Sequence, residues 1–251
     1  MRKFLFIIFP ALILSGCKSK HYQINSISGE YIPVVQTGKP NPELSNFVDL
    51  YKIKLDKEMN RVIGHSAKYM TTGRPESLLT NLTSDWMLEF DNSQSGEPVE
   101  LTFMNVHGIR APIAEGEITV GDIFDAYPFD NILAIVKLEG KYLTEIFESY
   151  AQMGGAGVSG NVRMTIENKH LAQVLIDNKP INENKIYTIL TLDYLAEGND
   201  GMDAFKKASS ITQTGVKLRE YMLSKVISVW QSGEVVDANL NGRISIINAN
   251  Q

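Results

Sequence analysis

Two separate stretches of this 251-residue chain carry side chains suited to holding a ligand, and they set them beside glycines and turn residues. The first runs from Asn105-Val106-His107-Gly108-Ile109-Arg110 to Tyr127-Pro128-Phe129-Asp130-Asn131. The second is Thr191-Leu192-Asp193-Tyr194-Leu195-Ala196-Glu197-Gly198-Asn199-Asp200-Gly201. An aromatic ring stacks on a planar heterocycle, a guanidinium forks onto an anionic oxygen, an amide reads a base edge, and a carboxylate accepts from sugar hydroxyls. Together these are the groups that hold a nucleoside.

Each residue also has a plainer role. Arg110 alone is an exposed arginine of the kind that forms a surface ion pair of little energetic weight. Phe129 and Tyr194 alone are aromatics for a core, and Asp200 in Gly-Asn-Asp-Gly is a turn former. Their position at element ends, where binding residues tend to lie, favours the ligand reading. For Tyr194 the ring face is expected to matter, so Tyr194→Phe is expected to change little. Asp85 shares a helix face with Leu78, Leu82 and Trp86, so it is expected to be buried, partnered and structural.

The elements that must position these residues follow from periodicity. Leu44, Phe47, Val48, Tyr51 and Leu55 predict a helix ending near Met59, and a strand is expected over Arg61–Tyr69. A second helix begins after Pro75, with Leu78, Leu79, Leu82 and Trp86 inward. Val99, Leu101 and Phe103 alternate as a half-buried strand that delivers Asn105 at its carboxyl end. Thr119 caps a short helix containing Val120, Ile123 and Phe124. A strand over Ile132–Leu138 ends at a turn, Glu139-Gly140, and Tyr142, Ile146, Phe147 and Tyr150 mark another helix. Further strands fit Val162–Ile166, Leu171–Ile176 and Ile186–Thr191; Leu218, Tyr221, Met222, Val226 and Val229 give a long helix, and Ile244–Ile247 a closing strand. Mixed helices and strands without a βαβ beat predict an α+β fold.

The chain opens with Met1-Arg2-Lys3, an apolar run from Phe4 to Leu14, then Ser15-Gly16-Cys17. Basic residues, a short apolar core and small residues before a cut site read as an export signal over residues 1–16, with Cys17 placed as in a bacterial lipobox. A polar, proline-bearing stretch over 17–42 reads as a tether with one strand at Tyr31–Val35, and 43–251 as the folded body. Cys17 is the only cysteine, so no disulfide forms within the chain. Removal of residues 1–16 takes Arg2 and Lys3 and moves the net charge from −5 to −7. That balance argues against a nucleic-acid backbone as partner. The expected place is the bacterial cell envelope, lipid-anchored, on the periplasmic side or the cell surface.

Taken in order, Glu76-Ser77-Leu78-Leu79-Thr80-Asn81-Leu82 with Asp85, then Asn105 to Arg110, then Pro128-Phe129, then Tyr194 to Gly201, resemble the carboxy-terminal, nucleotide-binding domain of the 5′-nucleotidase family over roughly Arg61–Ile247. The resemblance implies that family's α+β fold with a mixed sheet. It implies that Phe129 and Tyr194 sandwich the base, Asn105 bonds the base edge, Arg110 meets phosphate or nearby oxygens, and Asp200 takes the ribose hydroxyls. Val106 and His107 stand where the family has a glycine run, and Arg74 matches a second phosphate-facing arginine one position off. Family members usually carry an amino-terminal two-metal phosphatase, whose ligands come in Asp-x-His, Gly-Asn-His and Gly-His-x-His runs. None of the four histidines, His21, His65, His107 and His170, stands in such a run. No Ser-His-Asp or paired-carboxylate set replaces it.

The expected function is therefore nucleotide recognition, with no catalytic or metal-binding residue in this chain. Divalent metals and hydrolysis would belong to a separate metallophosphatase subunit, in nucleotide catabolism. The alternative is a non-enzymatic lipoprotein that scavenges or senses nucleosides.

Overall fold

The computed structural model describes residues 22–33, 38, 41–92 and 97–247. The export signal and Cys17 lie outside the described residues, as does the end of the strand expected at Tyr31–Val35; Tyr31–Pro33 have no regular structure. The chain divides into two units at Ser45/Asn46. In the first, residues 22–33 are exposed and irregular, and Asn41 Oδ1 accepts from the Glu43 amide at 3.0 Å where a helix begins.

That helix, α1 (Pro42–Met59), buries none of its residues, and its predicted apolar positions Phe47, Val48, Tyr51 and Leu55 are all exposed. The expected strand is shorter than predicted: β1 (Val62–Ser66) pairs antiparallel with β3 (Gly116–Thr119). No helix among the described residues is long and apolar enough to cross a membrane.

A five-stranded sheet carries the site. Its members are β2 (Leu101–Met104), β4 (Ile132–Glu139), β5 (Gly157–Val158), β9 (Ile186–Leu192) and β10 (Ser210–Lys217), in the order β10-β4-β9-β2-β5. β2 runs parallel to β9, with Leu101 opposite Ile189, while β4 is antiparallel to β9, with Leu133 opposite Leu192. Consequently the carboxyl ends of β2 and β9 and the amino end of β4 share one edge of the sheet. Asn105, Tyr194 and the Phe129 loop all emerge there.

β2 corrects one expectation, because all four of its residues are buried. It is a central strand covered on both faces: Thr102 Oγ1 donates to Ser84 O at 2.9 Å on helix α2 (Leu78–Leu88). Phe103 meets Phe147, Tyr150 and Phe205 with ring centroids 5.0, 5.3 and 5.9 Å away. Strands covered on both faces lose the apolar–polar alternation. Helix α2 is capped by Ser77 and buries Leu79, Leu82 and Trp86 as predicted, with Leu78 half-buried.

Thr119 caps α3 (Val120–Ala126) in a reciprocal box with Asp122. The turn expected at Glu139-Gly140 is instead a direct passage from β4 into α4 (Gly140–Gln152), which buries Leu143, Ile146, Phe147 and Tyr150. A second sheet contains β6 (Val162–Glu167), β7 (His170–Ile176), β8 (Lys179–Pro180) and β11 (Ile244–Ile247), in the order β11-β6-β7-β8. The remaining helices are the single turn α5 (Asp193–Ala196) and α6 (Leu218–Gln231). The architecture is the α+β arrangement expected.

Asp85 is partnered as anticipated, but its side chain is 42% exposed. The buried member of the pair is Arg243, 1% exposed, which forks onto both Asp85 oxygens at 2.8 Å and donates to Val158 O.

Candidate functional site

The three loops at the shared sheet edge enclose a cleft of about 240 Å3. Asn105, Arg110, Phe129, Tyr194 and Asp200 all line it, together with His107 and Asn131. Phe129 is 46% exposed and Tyr194 39% exposed, so neither is a core aromatic. Each offers ring surface to solvent that a flat ligand can cover.

Asp200 is the hub. Its Oδ2 accepts from Asn105 Nδ2 at 2.7 Å and its Oδ1 from the Tyr194 hydroxyl at 3.0 Å. The carboxylate pushes the Tyr194 hydroxyl pKa up, through that hydrogen bond and its charge. Asp200 sits in a short 3-10 turn, Asn199–Gly201, at φ +54°, a left-handed conformation that Asp tolerates better than most residues. Asn199 Nδ2 donates to Tyr194 O at 2.8 Å and Ser149 Oγ to Gly201 O at 3.1 Å, which fixes the turn to α5 and α4.

Asn105 precedes, and His107 lies in, a 3-10 turn, Val106–Gly108, directly after β2. Gly108 lines the cleft and also serves this turn. A Cβ there would lie 2.4 Å from Asn105 Oδ1 and 2.8 Å from Met104 Cε, so only glycine leaves room for the Asn105 amide. Asn105 Oδ1 is buried without a hydrogen-bond partner among the described residues. The Arg110 amide donates to Ala126 O at 2.8 Å, joining this loop to the end of α3, and its guanidinium lies 5.9 Å from the Phe129 ring centroid.

The Phe129 loop is held by a residue that sequence reasoning missed. Arg219, on α6 and 12% exposed, donates to Tyr127 O at 3.1 Å and Pro128 O at 3.0 Å, and pairs with Asp130. Its guanidinium also packs 4.5 Å from the Phe124 ring centroid. Lys217 at 3.2 Å and Arg219 hold the Asp130 carboxyl below the usual carboxylate range. No spacing rule links Arg219 to a loop about ninety residues earlier; only the antiparallel β10–β4 pair, with Lys217 opposite Ile132, brings them together.

Arg74 lies apart from the cleft. It lines a second chamber of about 350 Å3, and Asn105, His107 and Asp200 border both spaces. Gly155 makes this possible, because at φ +101° its Cα lies so close to Pro75 that a Cβ would be 2.4 Å from the Pro75 oxygen. That contact holds the Arg74 loop against the end of α4. Among the described residues no group of three or more His, Cys, Asp or Glu side chains is placed to hold a metal ion.

Residues 62–207 match the family described as 5′-nucleotidase, C-terminal domain, and the chain belongs to that family. It is 28% identical over 233 residues to the trifunctional nucleotide phosphoesterase protein YfkN of Bacillus subtilis, covering 85% of this chain and 16% of that one. The NAD 5′-nucleotidase of Haemophilus influenzae is 34% identical over 128 residues, 43% of this chain and 21% of that protein. Among solved structures, a 5′-nucleotidase precursor from Thermus thermophilus superposes with a TM-score of 0.69 at 25% identity, covering 82% of this chain and 43% of the other. The chain thus spans less than half the length of each of these relatives.

Proposed function

We propose that this chain is the nucleotide-recognition component of a 5′-nucleotidase-type phosphohydrolase, and that a separate metallophosphatase supplies the chemistry. The observation that carries the reading is the convergence of Phe129, Tyr194, Asn105, Arg110 and Asp200 on one cleft. In this reading the base stacks on Phe129 and Tyr194, Asp200 accepts from the sugar, and Arg110 meets an anionic oxygen, with Arg74 facing the ligand from the second chamber. The chain then contributes specificity by binding, and its partner lowers the barrier. Membrane attachment through lipid on Cys17 is part of the same proposal, supported by Leu14-Ser15-Gly16-Cys17; a Cys17→Ser protein retained in membranes after export would refute it.

Calorimetric titration of a nucleoside panel tests the binding site. Base stacking on an aromatic contributes roughly 1–3 kcal/mol, so Tyr194→Ala is expected to weaken binding by about 5- to 150-fold. Unaltered affinity in the folded variant would remove the assignment. The purified chain with added divalent metal is expected to show no phosphatase turnover, and turnover by a clean preparation would place the chemistry here instead.

A further inference from the structure

The cleft and the second chamber share three lining residues, Asn105, His107 and Asp200. Two of them are tied together, since Asn105 Nδ2 donates to one Asp200 oxygen at 2.7 Å while the Tyr194 hydroxyl holds the other. His107 is the untied member. Its side chain is exposed, and its ring nitrogens have no hydrogen-bond or ion-pair partner among the described residues. The turn that carries it explains its place: Val106 before it is buried in the core and Gly108 after it has no side chain, so His107 is the side chain this turn offers to the boundary.

Two more basic groups face that boundary, one from each side. Arg110 lines the cleft but not the chamber, and Arg74 the chamber but not the cleft. The guanidinium groups of Arg61, Arg163, Arg219 and Arg243 each donate to a protein oxygen. Those of Arg74 and Arg110, both exposed, donate to none among the described residues. Two guanidinium forks without acceptors, with an unpaired imidazole between them, suit an anionic oxygen group.

We propose that His107 is a specificity-determining residue: on gaining a proton it becomes the third cation at this boundary, beside Arg74 and Arg110, and raises the preference for a phosphorylated over an unphosphorylated nucleoside. This rests on the nucleoside reading above. The guanidinium groups stay charged, whereas imidazole is the side chain whose charge changes across about pH 5–8. The other ionisable groups lining the two spaces are Tyr194, Tyr150 and Asp200. Hydrogen bonding to Asp200 pushes the Tyr194 hydroxyl up and burial pushes the Tyr150 hydroxyl up, so both stay neutral. Asp200 is common to every protein compared below, so it drops out of the comparison.

The test is calorimetry of wild type, His107→Gln and His107→Lys at about pH 5.5 and about pH 8. The probes are adenosine, guanosine, cytidine and uridine, and the 5′-(methyl phosphate) diester of each, whose single negative charge is the same at both pH values. In wild type the preference for diester over nucleoside is expected to be about 3- to 30-fold larger at the lower pH. His107→Gln is expected to keep the weaker preference at both pH values, and His107→Lys, a permanent cation, the stronger one at both. A preference that does not move with pH in wild type, or that moves equally in His107→Gln, would overturn the inference and leave nucleoside binding standing. Absence of binding to every nucleoside and diester by folded wild type would overturn the nucleoside reading itself, and this inference with it.

Discussion

The Tyr194 hydroxyl donates to Asp200 Oδ1 at 3.0 Å, so the ring offered for stacking also braces the carboxylate offered to the sugar. This revises the expectation that Tyr194→Phe is silent. Phe keeps the stacking face but leaves Asp200 with Asn105 as its remaining side-chain donor. Titration of Tyr194→Phe is expected to show roughly 2- to 10-fold weaker nucleoside binding, the effect of one hydrogen bond. Affinity equal to wild type would mean that Asp200 keeps its position without the brace.

Phe129→Ala is expected to behave like Tyr194→Ala. If both rings hold one base, the double variant loses less than the product of the single losses, because the second removal acts on a base already unclamped. Full multiplicativity in a titration cycle would mean that the rings act independently.

Arg219 acts on the ligand only through the Phe129 loop. Arg219→Ala is expected to weaken binding by part of the Phe129→Ala loss, about 3- to 10-fold. Arg219→Lys is expected to restore little, because an ammonium lacks the planar fork that reaches Asp130 while bonding two carbonyl oxygens. The Asp130 pKa is lowered in the folded protein, so its pairing is complete above the ordinary carboxylate range and is lost as pH falls through the lowered value. Asp130→Asn should therefore differ from wild type in affinity at pH 7 and at pH 5, and the difference should vanish only in stronger acid. A difference that vanished between pH 7 and 5 would show that Asp130 is not the group responsible.

Gly108→Ala forces a Cβ within 2.4 Å of Asn105 Oδ1. Overpacking of this kind costs about 1–3 kcal/mol of stability. Displacing Asn105 from Asp200 is expected to weaken nucleoside binding by about 5-fold or more. Crystallography of the variant should show the Asn105–Asp200 bond broken; an intact bond would refute the role given to this glycine.

Asp85→Ala leaves Arg243, 1% exposed, without the carboxylate it forks onto, the Glu76 carboxylate remaining 3.8 Å from its Nε. Denaturant melts are expected to show a loss near the lower end of the roughly 3–5 kcal/mol range for a broken buried pair, since Asp85 itself is 42% exposed. Nucleoside affinity of the folded protein should be unchanged. A change in affinity would place Asp85 in the site.

Local rules were readable where local forces decide. Thr119 and Ser77 cap the helices they precede because a side-chain oxygen satisfies amides three residues on, a relation wholly contained in sequence. β10 went unpredicted because Ser210-Ile211-Thr212-Gln213-Thr214-Gly215 lacks an apolar face; it is a strand because β4 offers it an unpaired edge. The apolar pattern of α1 predicted the helix but implied a covered face, and none of its residues is buried among the described residues.

Within the site, the sequence by itself determined which side chains are present: two rings, an amide, a guanidinium and a carboxylate, each at an element end. It also placed Asn105 at the end of a strand, because strand and turn propensities act over a few residues. That these groups share one cleft was decided by tertiary structure, through the parallel β2–β9 and antiparallel β4–β9 pairs that bring three distant loops to one edge. The role of Arg219 was not legible in the sequence for the same reason. It acts across about ninety residues on the Phe129 loop, which no sequence spacing encodes.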